Sequence, residues 1–159
     1  MKKHWIEIKW GAIFAAIGLL WMVLERMTGL HSTHIEMHQY FTNLYAIPAI
    51  AVYVLALLDK RKNSYDGYLT YFQGFKSGLI VTLVVTVLSP INQVLISRVI
   101  SPDYFQNAIS YVVDTGKMSL EEAKGYFNIR SYIVQGIIGA PIMGTVTSAI
   151  VALFTRKKH

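Results

Sequence analysis

Three of the chain's five histidines fall within one stretch, GLHSTHIEMHQY, which runs from Gly29 to Tyr40. They are His31, His34 and His38. The last two stand four residues apart, a spacing that puts both side chains on one face of a helix. Neutral imidazole is the commonest protein ligand for a transition metal, and it also titrates near neutral pH. His34 and His38, with His31 arriving from the preceding linker, therefore form a candidate metal site or pH sensor. The run HIEMH is not the zinc-protease helix, in which Glu directly follows the first His and so reaches the metal-bound water. Position 35 is Ile, and Glu36 sits about 200° around a helix from His34. The competing expectation is a set of interfacial histidines bonded to backbone, headgroups or neighbouring helices, a network that Glu25 and Arg26 could join.

A second polar group surrounds Pro90: Ser89, Asn92 and Gln93 inside an otherwise apolar run. Proline removes a backbone donor and can kink a helix. A kinked span carrying amides can line a polar intramembrane pocket, and Gln135 is the expected partner across the gap. The alternative is that Asn92 and Gln93 simply bridge adjacent helices.

Other chemistries are excluded. With no cysteine in the chain, disulfides, thiolate metal sites and cysteine nucleophiles are ruled out. Gly74-Phe75-Lys76-Ser77-Gly78 lacks the spacing of a phosphate-binding loop. No ionisable residue falls at mid-span, and no transporter-like internal repeat is visible. The last two absences argue against a proton-coupled transporter or pump, and the expectation is a protein that is not an enzyme and carries no cofactor.

The elements that must position these residues are membrane helices. Of the 159 residues 53% are hydrophobic and only 15% charged, against about 25% charged in an average soluble domain. Four apolar stretches can cross a bilayer of about 30 Å, with spans expected at about 10–28, 34–58, 71–97 and 131–154. The whole chain, 1–159, reads as one integral membrane domain. The N-terminal Lys2-Lys3 and apolar run imitate a secretory signal, but no small-x-small cleavage site follows, so an uncleaved first span is expected.

The net charge of +6 fits basic residues flanking spans rather than nucleic-acid binding. Ten of the fifteen Lys and Arg would lie on one side: Lys2, Lys3, Lys9, Lys60, Arg61, Lys62, Lys76, Arg156, Lys157 and Lys158. Arg26, Arg98, Lys117, Lys124 and Arg130 would lie on the other. The positive-inside rule then puts both termini in the cytoplasm.

Helix ends carry local signals. Gly29 suits the position just past the first helix. Thr33-x-x-Glu36, Thr70-x-x-Gln73 and Ser119-x-x-Glu122 are capping-box patterns. Ser101-Pro102-Asp103 reads as a helix start. The segment 102–130 is thus expected to hold two amphipathic helices broken at Gly116, outside the membrane. On the fourth span Gly136, Ala140, Gly144 and Ser148 form a small-residue stripe suited to close helix packing or to self-association.

Gly29-Leu30-His31, then His34 and His38, Tyr71-Phe72-Gln73-Gly74-Phe75 leading to Gly78, Pro90, and Ser101-Pro102-Asp103-Tyr104-Phe105 follow in an order that resembles a family of small four-helix bacterial membrane proteins classed as a domain of unknown function. The resemblance covers nearly the whole chain. It implies four spans with a helical insertion between the third and fourth, and carries no activity or functional residues. The expected architecture is all-α: a four-transmembrane-helix bundle with amphipathic helices inserted between spans three and four.

The leading functional expectation is a non-enzymatic structural or accessory component of the bacterial inner membrane. Its partners would be the lipid bilayer and a second copy or another membrane protein, with no nucleic acid. A small transporter or channel is the second reading, and an outer-face metal-binding or sensory protein the third.

Overall fold

The computed structural model describes residues 4–157. Lys2, Lys3 and Lys158, three of the charges used above to orient the chain, lie outside the described residues. Helix α1 runs Trp5–Met27, α2 Ile35–Phe41, and a 3-10 turn Thr42–Tyr45 joins α2 to α3, Ala46–Ser64. Helix α4 spans Tyr71–Leu95 and ends in a π turn, Ile96–Ile100. Then come α5, Tyr104–Asp114, α6, Leu120–Tyr126, and α7, Ile129–Thr155.

Four segments are long and apolar enough to cross a membrane: Trp5–Met27, Ile35–Ser64, Tyr71–Ile100 and Ile129–Thr155. Large apolar side chains such as Leu20, Met27, Met143 and Phe154 point outward from them. In water such a surface would be a liability; in lipid it is the expected exterior. All four segments exceed the expected spans. The second adds Asp59, Lys60, Arg61 and Lys62 to its helix, because α3 continues to Ser64 before the chain turns.

Close approach of α4 and α7 organises the bundle, and the small residues account for it. A β-carbon on Gly78 would lie 2.5 Å from Ser148 Oγ and 2.7 Å from its Cβ, so only glycine fits there. Gly144 faces Thr82 with the same lack of room, and Gly136 faces Ser89. The stripe on α7 is therefore used within the chain. Helix α1 packs on α4 in the same way, through Gly11 against Val84. The tight core, Tyr53, Ala56, Leu57, Val81, Val151 and Ala152, lies toward the end of the bundle that carries the termini. There the bridge between Leu69 and Lys157 and the bond from Arg61 Nη1 to the Thr155 carbonyl (2.9 Å) tie the α3–α4 turn to the last residues of α7.

Local signals were met unevenly. Thr70 and Ser119 each form the full capping box with Gln73 and Glu122. Asn128 caps α7 by accepting from the Ser131 amide, so the chain bends between α6 and α7. Thr33 does not cap α2: His34 is the N-cap residue and no side chain bonds there. The amide of His34 already donates to the Gly29 carbonyl (2.8 Å), which sets the start of α2 one residue later. Pro90 lies inside α4, and Ser89 Oγ donates to the Thr86 carbonyl that the proline leaves without a partner (3.0 Å).

Gly78→Ala should lower the thermal stability of the detergent-solubilised protein by about 1–3 kcal/mol, the usual cost of overpacking. Gly139→Ala, on α7 where nothing lies within 4 Å of an added β-carbon, should leave the melting curve within error of wild type.

Candidate functional site

The site begins where α1 ends. Trp21 and Glu25 are four apart on the last turns, and the Trp21 indole N–H donates to Glu25 Oε1 at 2.6 Å. Gly29 follows with φ +77°, a conformation that favours glycine. Its amide donates to the Arg26 carbonyl and that of Leu30 to the Glu25 carbonyl, the paired closure of a Schellman turn. The chain is thereby folded back across the helix end, and the next residue, His31, comes to rest on the carboxylate of Glu25.

Glu25 and His31 are almost wholly buried, with 2% and 4% of their surface exposed. His31 Nε2 is 3.1 Å from Glu25 Oε2, and His38 Nε2, one turn into α2, is 3.2 Å from the same oxygen. An ionised carboxylate only accepts, so both imidazoles donate from Nε2 and their Nδ1 atoms are free to accept. Ser101 Oγ meets His31 Nδ1 at 2.6 Å, and Tyr104 Oη meets His38 Nδ1 at 3.4 Å. Tyr132 Oη lies 3.3 Å from Tyr104 Oη and extends the chain of hydroxyls to α7. Burial raises the Tyr104 phenol above its ordinary value, partly offset by the hydrogen bond with Tyr132, so it remains a neutral hydroxyl able to donate or accept.

The π turn explains how Ser101 reaches this site. Its amide bonds back five residues to the Ile96 carbonyl (2.7 Å), and Arg26 Nη1 holds the Ile100 and Val99 carbonyls from α1. Short π segments recur at functional sites, because they turn one side chain out of helical register. Ser101 is buried and serves His31 rather than capping α5, whose cap residue is Asp103. Asn107 Nδ2 on α5 donates to the His31 carbonyl at 2.9 Å and fixes the insertion over the site.

One donor atom each from Glu25, His31 and His38 falls within 4.8 Å of the other two. Tetrahedral zinc with bonds of about 2.0–2.1 Å requires ligand atoms about 3.3 Å apart; the carboxylate-to-imidazole separations of 3.1 and 3.2 Å are near that, and the two imidazole nitrogens lie within 4.8 Å of each other. Two imidazoles and one carboxylate with a further position open is a familiar three-ligand set. A metal-bound imidazole presents its other nitrogen as a donor, and Ser101 Oγ and Tyr104 Oη stand where acceptors are wanted.

His34 is not brought to this group. Its side chain is 63% exposed and its Nδ1 lies 3.9 Å from Glu36 Oε1. The four-residue spacing to His38 has no force here, because His34 precedes the first helical turn, with φ −120° and ψ 34°. Asn92, Gln93 and Gln135 do line one cavity, of about 430 Å³, together with Ser89, Tyr45 and Tyr132. They do not bond one another. Asn92 Nδ2 donates to the Ala15 carbonyl (2.9 Å), Gln93 Nε2 to Ser97 Oγ (2.9 Å) and Gln135 Nε2 to Ser131 Oγ (3.0 Å).

Residues 9–157 match the family model described as a protein of unknown function, DUF4199. The chain belongs to that family. Neither the curated proteins nor the solved structures hold a match to it. The DUF4199 match takes in all but the first four residues of the four membrane-capable segments, the insertion and every residue of the histidine–carboxylate group, and brings no activity with it.

Glu25→Gln turns a three-donor acceptor into a group whose amide faces two imidazole N–H groups. Loss of hydrogen bonds to a charged acceptor should cost roughly 1.5–3 kcal/mol, read as a lowered melting temperature, while His34→Gln should be silent in the same assay.

Proposed function

We propose that this protein is a multi-pass membrane protein that binds a divalent transition metal through Glu25, His31 and His38, and that it acts as a binding or sensory component without catalysing a reaction. The observation that carries the reading is the convergence of those three donor atoms within 4.8 Å, at a site with almost no exposure on Glu25 and His31. A carboxylate joining the histidines is what local sequence spacing lacked. Zinc suits the donor set, and its Lewis acidity is the only chemistry the group would add. The chain's own part is to hold the carboxylate ionised through Trp21, to orient the imidazoles through Ser101 and Tyr104, and to cover the site with α5.

The membrane would be a bacterial cytoplasmic membrane, with both termini inside and the site facing out. Lys9, Lys60, Arg61, Lys62, Lys76, Arg156 and Lys157 cluster at the ends of the spans away from the insertion, which supports that orientation. Under this reading α5 and α6 form an amphipathic cover at the outer surface, open to a protein partner or a second copy.

A second reading, passage of a solute through the bundle, is favoured by one observation. The cavity bearing Asn92, Gln93 and Gln135 adjoins Tyr132, the end of the hydroxyl chain that starts at His38.

Protein purified without chelator should take up one zinc per chain, measured by elemental analysis and by competition with a chromophoric chelator. His31→Ala and His38→Ala should each weaken binding at least tenfold, and His34→Ala should not. Zinc at about a hundred times its dissociation constant should add about 2.7 kcal/mol of stability, reversed by chelator. Equal damage from all three alanine variants, or no uptake by wild type, would remove the reading.

Orientation has its own check, helped by the absence of native cysteine. Lys117→Cys should react with a membrane-impermeant thiol reagent on intact cells, and Asn63→Cys only after lysis. The reverse pattern would invert the topology.

A further inference from the structure

At the opposite end of α1 a second carboxylate is buried as deeply as the first. Glu7 is 2% exposed, and its Oε1 receives the Ser77 hydroxyl at 2.9 Å and the Lys60 ammonium at 2.9 Å. Its Oε2 has no hydrogen-bond partner among the described residues, and neither has His4 Nδ1 beside it. A buried carboxylate oxygen without a donor is costly. Glu25, at the other end of the same helix, has donors on both oxygens. The contrast marks Glu7 Oε2 as an atom for which the described residues supply no donor.

Glu7 also walls a pocket of about 370 Å³, together with Ser77, Lys76, Lys60, Phe72 and His4. Its volume exceeds that of a few waters at about 30 Å³ each. Lys60 already neutralises Glu7, whereas Lys76 makes no ion pair with any described residue, so among the described residues the pocket carries one cation in excess. Inorganic phosphate would match Lys76 but set like charge against Glu7 and leave Oε2 unpaired. A simple amine would satisfy Oε2 and leave Lys76 unmatched. A group that joins a phosphate to a primary ammonium satisfies both. The level of the pocket identifies the source of such a group. It lies in the first turns of α1 and α4 and the last turns of α3, where span ends meet lipid headgroups. Phe72 and Trp5 are exposed at this depth, as interfacial aromatics are.

We propose that this pocket binds the phosphoethanolamine headgroup of a membrane lipid, with the lipid phosphate on Lys76 and its ammonium on Glu7 Oε2. Because Oε2 is itself buried, the ammonium reaches it by displacing the half-exposed His4 side chain. A phosphocholine group would fill the same space but has no N–H to give Oε2, and so serves as the discriminating control.

Native mass spectrometry of the full chain released from detergent micelles tests this, with phosphatidylethanolamine, phosphatidylcholine and soluble phosphoethanolamine as probes. Wild type should retain phosphatidylethanolamine at least tenfold more strongly than phosphatidylcholine. Glu7→Gln should abolish that preference, and Lys76→Ala should weaken both lipids by a similar factor. Lys76 is paired with nothing described, so its variant folds even where Glu7→Gln does not. Equal retention of the two lipids by wild type would overturn the proposal, as would a preference unchanged in Glu7→Gln or retention unchanged in Lys76→Ala. Soluble phosphoethanolamine bound as tightly as the lipid would uphold the headgroup chemistry and overturn the membrane as its source.

Discussion

The arrangement at the insertion end follows from one constraint: the Glu25 carboxylate, buried in an apolar bundle, must be given hydrogen-bond donors. An isolated charge there would be prohibitive, and each neighbouring element is bent to supply one. Trp21 comes from the helix itself, His31 from a reversal that Gly29 makes possible, and His38 from the first turns of the next span. The imidazoles in turn require partners, and these arrive from the π turn and α5, which lie some seventy residues away in sequence. A local electrostatic demand at the end of α1 thus determines where the insertion sits.

The rest of the bundle makes room for this. Small residues draw α4 and α7 together along most of their length, and the dense core lies at the termini end. Cavities lie on both sides of the site, as another does beside Glu7 at the termini end. One holds Glu25 and Trp21 among apolar side chains, and another holds His38 and Tyr104 beneath α5 and α6. Under the proposed metal reading, these cavities are the routes by which an ion would approach the buried carboxylate and imidazoles.

Much of the fold was legible from periodicity and composition. Apolar length revealed the four spans, and turn chemistry revealed the break at Gly116 and the caps at Thr70 and Ser119. These are local signals, and local physics decides them. The site was only half legible. His31 and His38 stood out by residue type and Glu25 as a helix-end charge able to join their network, but nothing in sequence spacing shows that a Schellman turn folds the chain back onto it. Ser101 read as a helix cap because Ser-Pro-Asp is a strong local pattern; the π turn before it overrides that pattern and sends the hydroxyl to His31. His34 was included on a helical spacing that lapses one residue before the helix starts. Glu7 carried no signal in the sequence, and its depth follows only from the packing of α1, α3 and α4.

The central claim is that Glu25, His31 and His38 together form one metal-binding unit. X-ray absorption at the zinc edge, on protein loaded with one equivalent, addresses it most directly. A first shell of light N/O donors at about 2.0–2.1 Å, with imidazole outer-shell scattering that falls by half in His38→Ala, is the result this account predicts. A spectrum that keeps both imidazoles in His38→Ala, or one indistinguishable from hydrated zinc, would contradict it.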